Sequence, residues 1–425
     1  MKNIVSCFVL SGLLFMSSVA WSQGVVFRGV GAVNESMAGA STACPIDAAG
    51  ALYWNPATIA GLDNSEVSIN FGLIMPNLSI SSQLSNGSGG GTTDGEAGAV
   101  PAPAIAIVKK LDDSRWSWGL SLGVVGGAKT NFGGASVTEN PILSSESIPL
   151  GVVNGKVQYG KVGYGNINSD IQLLQLAPSL VYQLTDKLSI GFGPTLSIAY
   201  LNCTPLYVVD GYSDPNDSVR GAGSRWAWGG GFQFGAYYDT MTGWRFGASY
   251  KSQTWLEDFR LRIMDAENKP QVLTLDLDYP AILSFGVSYA GLEKWLFAFD
   301  MRYFFFEEAK YAPLGWENVF SFSLGVQRIV TEKLSLRGGY CYNQNPIRET
   351  ATRENIASPL MPGHALFTGF SYRLYENMLV HLTYGHVFKA TSEGPYFGEA
   401  NAALGGYVRS EVGANLLTTG VSMAF

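Results

Sequence analysis

Two short motifs carry residue types that could perform catalysis. Residues 119–123 read G-L-S-L-G, a match to the G-x-S-x-G turn that presents a nucleophilic serine in hydrolases. That serine needs a strand–turn–helix context and an Asp–His pair, whereas Ser121 lies in the middle of a predicted strand. Residues 123–130 nearly match a phosphate-binding loop, but Ala128 replaces the required glycine and no helix is predicted to follow. We interpret both motifs as chance matches and predict no enzymatic activity.

The residue types that usually bind metals are few and poorly placed. His381 and His386 are separated by an odd number of positions, so on one strand they point to opposite faces. The cysteines outside the first 22 residues show no metal-ligand spacing, and a disulfide between two of them stays open: Cys44, Cys203 and Cys341. No metal site and no cofactor is predicted.

Small residues dominate the stretch from Gly29 to Leu62. It ends in Asn55-Pro56-Ala57, where proline denies the helical conformation to Asn55 and fixes a corner in the chain. Glycine and alanine let backbones approach closely, but they offer too little apolar area for an independent core. We therefore expect short helices that lie inside another structure.

The first 22 residues have the pattern of a secretory signal peptide. A positive charge at Lys2 precedes an apolar run over residues 4–15, and Ala20-Trp21-Ser22 offers a cleavage site before Gln23. The apolar run is too short for a membrane-spanning helix. We expect an exported protein whose mature chain begins near Gln23.

The composition narrows the fold class. Charged residues make up 14% of the chain, against about 25% in soluble domains. Aromatic residues make up 13%, and 51 of the 425 residues are glycine. No later stretch approaches the ~18 consecutive apolar residues of a spanning helix. For an exported chain this predicts an all-β fold, a transmembrane antiparallel β-barrel. The formal net charge of −7 argues against nucleic acid as a partner.

Side chains alternate with a period of two along many segments. In residues 187–200, every second residue from Leu188 is apolar, and serine, glycine, threonine and alanine fill the positions between. Apolar residues that face lipid and small or polar residues that face the lumen are typical of outer-membrane barrels. A soluble sandwich would carry charged residues on the second face. The pattern recurs in residues 115–124, 281–289 and 295–303.

Short turns and long loops also alternate along the chain. This is typical of single-chain barrels, whose short turns face the periplasm. Counting between the breaks predicts about 14 strands, the first near residues 66–74, and Phe425 ends the last strand. A terminal Phe is similar to the signal that the barrel insertion machinery reads. The predicted short turns lie at 111–114, 184–187, 240–243, 290–294, 330–333 and 373–377.

The stretch that ends in Asn55-Pro56-Ala57 also resembles the N-terminal hatch, or plug, of the FadL family. The resemblance rests on Gly29-x-Gly31, on the Gly39–Ala43 run and on the Asp47–Trp54 segment before Asn55. Members of that family are outer-membrane transporters of long-chain fatty acids and aromatic hydrocarbons. The implied organisation is a signal peptide (1–22), a small helical hatch inside the lumen (23–62) and a 14-stranded barrel with long extracellular loops (63–425).

The resemblance also implies a route for a ligand. In that family a kink in the third strand opens the barrel wall sideways, and the candidates here are Gly123, Gly126 and Gly127, of which Gly126 and Gly127 follow the predicted third strand. These glycines equally fit a flexible loop entry. The apolar Val25-Val26-Phe27 is the candidate N-terminal gate, with a frayed end as the alternative. Loop residues that could form an outer groove are Ile142, Leu143, Ile148, Leu150, Leu206, Tyr207 and Val208.

A fatty-acid ligand would need a cation for its carboxylate. Strand parity places four candidates on the lumen side, and these are Arg245, Lys251, Arg302 and Arg337. The favoured alternative is that arginines such as Arg302 pair with Asp300 or other lumen acids, because buried charges are usually paired.

These features predict passive uptake of hydrophobic molecules, either long-chain fatty acids or aromatic and aliphatic hydrocarbons, across the outer membrane of a Gram-negative bacterium. The expected partners are the apolar ligand, outer-membrane lipid and lipopolysaccharide, and the insertion machinery during biogenesis, with the protein as a monomer. The alternative is a barrel that serves as a scaffold, adhesin or secretion partner.

Overall fold

The computed structural model describes residues 25–85, 89–112, 114–153, 156–204, 221–264, 270–359, 363–398 and 405–425. The predicted signal peptide and the mature N-terminus at Gln23 lie outside the described residues. So do three of the predicted groove residues, Leu206, Tyr207 and Val208, and nothing is described of the Leu150 side chain.

Fourteen long strands in the described part of the chain form one antiparallel sheet around a lumen. They are β1 (Glu66–Gln83), β3 (Val100–Lys110), β4 (Trp116–Phe132), β7 (Ile167–Gln183), β8 (Leu188–Thr204), β10 (Ala227–Asp239), β11 (Trp244–Lys251), β15 (Ala281–Tyr289), β16 (Trp295–Phe305), β17 (Val319–Ile329), β18 (Leu334–Asn343), β19 (Gly363–Tyr375), β20 (Met378–Pro395) and β21 (Tyr407–Ala424).

The sheet closes on itself because the first and last of these strands pair along their whole length. The register runs from Glu66 opposite Ala424 to Gln83 opposite Tyr407. Closure removes every free sheet edge, so each strand satisfies its backbone groups on both sides. The predicted 14-stranded barrel is confirmed.

Each strand divides its side chains between the two faces as its alternation predicts. On β16, Phe297 and Phe299 are exposed on the outer face, whereas Asp300 and Arg302 are buried in the lumen. On β8, Phe192 is exposed and Ser197 is buried. The outer face is therefore an apolar band, and the polar and small residues line the interior.

Short turns connect successive strands at one end, close to the predicted positions. One prediction was wrong: the first strand does not end near residue 74. It continues to Gln83, because Ser79–Gln83 pair both with β21 and with a further strand, β2 (Gly90–Asp94). The expected long loop is thus partly strand.

The opposite end carries the long segments, which add their own strands. β5 (Ser147–Val153) pairs with β6 (Lys156–Lys161), and β9 (Gly221–Ser224), β13 (Phe259–Met264) and β14 (Pro270–Leu275) form a small sheet. The two-residue β12 (Trp255–Leu256) pairs with β10. Ile142 and Leu143 are buried in an apolar core with residues of β1, β4 and β21, and Ile148 packs against it.

Residues 25–62, the described part of the predicted hatch, contribute two short helices that lie inside the barrel. Helix α1 spans Ala32–Ser36 and helix α2 spans Ala48–Trp54, and a 3-10 turn over Pro56–Gly61 follows. The Asp47 side chain accepts a hydrogen bond from the Gly50 backbone and caps α2. Asn55 is extended, so α2 ends where the proline requires it.

Among the described residues, no helix has the length and apolar character needed to cross a membrane.

Candidate functional site

The hatch meets the barrel wall at lumen-facing glycines. A Cβ atom at Gly119 would lie 2.5 Å from the Leu52 side chain of α2, and one at Gly191 would lie 2.7 Å from the Ala57 backbone nitrogen. Gly119, the first glycine of the G-L-S-L-G motif, is therefore a residue that packs against the hatch. Further wall glycines in the same kind of contact with the hatch are Gly235, Gly247, Gly286, Gly325, Gly339 and Gly369.

Asn55 ties the predicted hatch motif to both the hatch and the wall. Its side-chain nitrogen donates to the carbonyl oxygens of Thr42, at 2.7 Å, and Ala236 on β10, at 2.9 Å. Its side-chain oxygen accepts from the Ala57 backbone at 3.1 Å. Pro56 and Ala57 are buried beside it in the 3-10 turn.

Asp300 on β16 holds the middle of the hatch. Its Oδ2 accepts hydrogen bonds from the backbone nitrogens of Ser41 and Thr42, at 2.8 and 2.9 Å, and from the Thr42 hydroxyl at 2.8 Å. Arg302 donates to the same oxygen at 2.5 Å and to the Gly39 carbonyl at 2.7 Å. This buried pair is a docking site for the hatch backbone.

Three of the four candidate cations are engaged by protein groups. Arg302 pairs with Asp300, and Arg245 forms an ion pair with Asp239 at 3.1 Å. Arg337 donates to the Gln327 and Ser371 side chains, both at 2.6 Å. The structure therefore does not bring the four candidates together around one ligand position.

Lys251, the fourth candidate, is buried without a hydrogen-bond partner for its Nζ among the described residues. That Nζ lies 4.3 Å from the centroid of the Tyr53 ring, and Arg302 lies 3.5 Å from the ring of the adjacent Trp54. Such contacts offset part of the cost of burying a cation. Both cations thus pack against the end of α2.

The third barrel strand, β4, has a bulge beside the glycines that were predicted to form a kink. The register with β7 shifts between Val124 and Gly126, so Val125 has no partner in the ladder. Gly126 and Gly127 lie within β4, which runs on to Phe132, and the expectation that they follow the strand was wrong. The ladder continues because β7 is long enough to pair with the second half of β4. Gly123 lies just before the bulge.

The apolar N-terminal segment, Val25–Phe27, docks on this bulge. The Phe27 nitrogen donates to the Val125 oxygen at 3.0 Å, and the Gly127 nitrogen donates to the Val25 oxygen at 2.9 Å. A Cβ at Gly126 would lie 2.7 Å from the Val25 oxygen, so only glycine admits this approach. The two sets of residues predicted from the resemblance, the gate and the strand-kink candidates, are thus in direct contact.

Two apolar cavities lie above this segment, toward the long loops. The larger has a volume of about 80 Å³ and extends to Trp316 and Asn355, and the smaller, about 20 Å³, lies against Gly126 and Tyr279. Val25, Ile171, Leu277 and Tyr311 line both. The N-terminal segment therefore lies at the boundary of the two spaces.

Several residues of this region had no signal in the sequence. Tyr279 and Tyr311 belong to long segments between barrel strands, and neither shows an alternating pattern that fixes its direction. Their rings reach the cavities because the loops fold inward. A buried Asp278 beside Tyr279 accepts from the Gln253 side chain and the Leu256 backbone, both at 2.7 Å, and holds that loop.

The histidines and cysteines form no metal site in the described part of the chain. His381 faces the lumen and contacts the Ser371 and Ser422 hydroxyls at 2.6 and 3.0 Å, while His386 contacts Asn415. No disulfide joins Cys44, Cys203 and Cys341, all three of which the structure describes.

The sequence matches one protein-family model along most of its length. The model described as "Outer membrane protein transport protein (OMPP1/FadL/TodX)" matches residues 13–159 and 148–425. The chain belongs to this family. The resemblance to the FadL family is confirmed, and with it the location in the outer membrane of a Gram-negative bacterium.

Solved structures show the same fold at low sequence identity. The toluene transporter TodX of P. putida is 17% identical, with 94% of this chain and 99% of that chain covered and a TM-score of 0.70. The toluene transporter TbuX of Ralstonia pickettii is 18% identical, with 94% and 99% covered and a TM-score of 0.66. A FadL homologue of Pseudomonas aeruginosa is 14% identical, with 95% and 100% covered and a TM-score of 0.71. No curated protein matches the sequence.

Proposed function

We propose that this protein is a passive outer-membrane channel for small, neutral, apolar molecules such as a monoaromatic hydrocarbon. The proposal is supported by the apolar cavities above the N-terminal segment, whose described lining residues include no lysine or arginine. Apolar molecules cross a polar surface layer poorly and gain free energy in such surroundings. The scaffold or adhesin alternative is not favoured.

The charge distribution argues against a fatty-acid carboxylate in these cavities. Of the four candidate cations, three are bound to protein groups and Lys251 packs on Tyr53, outside the residues that line either cavity. Among the described residues, the carboxylate that lines the larger cavity is Glu354, and the described lining offers no basic side chain to a ligand carboxylate. The carboxylate of a fatty acid bound in these cavities without a cation would carry a high desolvation cost.

The size of the cavities indicates that the N-terminal segment must move. An engineered apolar cavity of about 150 Å³ in another protein binds benzene. The larger cavity here has a volume of only about 80 Å³. Withdrawal of Val25 would join the two spaces and uncover the bulge in β4. A ligand would then pass from the loops to the bulge and leave sideways into the bilayer.

The outer face, with exposed Trp116, Trp244 and Trp295, suits contact with lipid and lipopolysaccharide. Phe425, 60% exposed at the end of β21, suits recognition by the insertion machinery. We propose that the protein is a monomer. We also propose that it has no catalytic activity, because Ser121, the serine of the G-x-S-x-G match, lies within β4.

Binding of toluene and of decanoate to the purified full-length protein tests the ligand class. We expect toluene depletion from the headspace to saturate near one per chain, and decanoate not to compete. Leu277→Trp, which fills both cavities, should abolish toluene binding, and Leu366→Trp on the outer face should not. Saturable decanoate binding without toluene binding would overturn the proposal.

Mass spectrometry of organic extracts from protein purified out of its native membrane identifies the natural ligand. A matched unrelated barrel serves as the control for adventitious lipid. A neutral hydrocarbon near one per chain is expected. Stoichiometric fatty acid would contradict the proposal.

A further inference from the structure

Hydrogen bonds from three elements converge on the bulged residue of β4. The Val125 carbonyl oxygen accepts from the Phe27 backbone at 3.0 Å, and it lies 3.3 Å from the hydroxyls of both Tyr53 and Tyr279. The Tyr53 hydroxyl is also 3.0 Å from the Phe27 oxygen and 3.5 Å from the Tyr279 hydroxyl. The hatch helix, the N-terminal segment and the β14–β15 loop therefore meet at one carbonyl.

The two hydroxyl protons can be assigned from the distances. Tyr53 has its shorter contact to the Phe27 oxygen, so it donates there, and Tyr279 donates to Val125. The Lys251 ammonium lies over the face of the Tyr53 ring and helps to fix the position of that ring. The two tyrosines thus bond both sides of the junction between the N-terminal segment and the bulge.

Tyr279 alone among these groups also faces the cavities. Its ring lines the smaller one and lies 3.1 Å from the position that a Cβ on Gly126 would take. Because this cavity has a volume of only about 20 Å³, a neutral apolar ligand that entered there would displace the ring, and it has no donor with which to replace the hydroxyl. Occupancy of the cavity and the bond to Val125 therefore compete.

We infer that Tyr279 is the residue that detects a ligand and, with Tyr53, forms a hydrogen-bonded latch whose opening releases the N-terminal segment from the bulge in β4. This inference rests on the proposed function, because it takes the ligand to be neutral and bound in these cavities. With the latch open, only two of these bonds still hold the segment, from Phe27 to Val125 and from Gly127 to Val25, so the segment undocks more often and both amides exchange faster.

Hydrogen–deuterium exchange of the full-length protein, with and without toluene, tests the latch. In the wild type, toluene should speed exchange at the Phe27 and Gly127 amides about tenfold, as expected for a lost bond to a buried carbonyl. In Tyr279→Phe, exchange without toluene should already be fast, and toluene should add little. Tyr53→Phe should have the same effect.

Tyr311→Phe is the matched control, because Tyr311 lines both cavities while its ring contacts are with Phe306 and Trp316. It should keep the wild-type response. A merely structural role for Tyr279 would speed exchange but leave the toluene response intact, and that result would overturn the inference. The phenylalanine variants keep the cavity shape, so headspace binding reports separately on the proposed function. If the wild type binds no toluene, the proposed function fails; if Tyr279→Phe binds toluene and still responds to it, only the latch fails.

Discussion

At the scale of single residues, the absence of a side chain decides where the hatch and the wall can meet. Gly126 is the clearest case, since its missing Cβ leaves room for both the Val25 oxygen and the Tyr279 ring. Gly133, seven residues later in the same region, has open space where a Cβ would lie, with no atom within 4 Å. Alanine substitutions at Gly126 and at Gly133 therefore distinguish a loss of packing space from a general effect of replacing glycine.

We expect Gly126→Ala to expel the N-terminal segment, because overlap of this kind costs about 1–3 kcal/mol. Tryptic cleavage after Arg28 in the folded protein measures how often that segment undocks. The rate should rise about tenfold or more in Gly126→Ala and stay at the wild-type value in Gly133→Ala. Equal rates in all three proteins would contradict the close approach.

Glu35 in helix α1 makes hatch docking sensitive to pH. Its carboxylate is buried and accepts from the Thr418 hydroxyl at 2.5 Å, and burial raises its pKa from 4.5 to about 7. The docked hatch therefore favours the protonated acid. Docking has its full stability below about pH 4.5 and loses it as the pH rises through about 7.

The protection of α1 amides, corrected for intrinsic exchange, should accordingly be lower at about pH 8 than at about pH 5. Glu35→Gln keeps the shape and cannot ionise, so its protection should fall clearly less over that range than that of the wild type. Asp47, whose pKa burial raises to about 6, is retained in both proteins. An identical pH dependence in both would show that Glu35 is not responsible.

At the scale of elements, the hatch helices depend on the wall. With five and seven residues, α1 and α2 are far shorter than helices that are stable alone. Wall side chains satisfy their first amides: Asn70 accepts from Ala32, and Glu66 accepts from Ala48. The barrel thus caps the helices that fill it.

Asn55→Asp should undock the hatch while preserving its shape. The carboxylate would face the Thr42 and Ala236 carbonyl oxygens, which now accept from the amide, and this repulsion costs on the order of 3 kcal/mol. Thermal unfolding followed by the mobility shift of heated barrels should give a lower midpoint. Asn64→Asp in an exposed bend should leave the midpoint unchanged.

The elements differ in how far their sequence reveals them. Alternation specifies the barrel strands because one face must meet lipid and the other the lumen, and proline fixes the end of α2. The bulge at Val125, the direction of Tyr279 and the inward fold of the loops depend on contacts between segments far apart in the chain. A periodic pattern contains no information about those contacts, so they became visible only in the structure.

At the scale of the whole molecule, the hatch is an obstruction. Its described residues are almost all buried, with contacts to strands on all sides of the lumen. Deletion of residues 24–62 should therefore raise single-channel conductance in planar bilayers, while Gly133→Ala should conduct like the wild type. Unchanged conductance after the deletion would count against the assignment of this stretch as a plug.

The pairing of β1 with β21 has a consequence for the order of assembly. The seam joins Glu66 to Ala424, so the ring can be completed only after β21 has been made. The hatch precedes β1 and is wider than any gap between paired strands, so it must be enclosed before the seam forms. Contacts of such sequence separation form slowly. We therefore expect the pairing of β1 with β21, which encloses the hatch, to be the last step in the folding of the barrel.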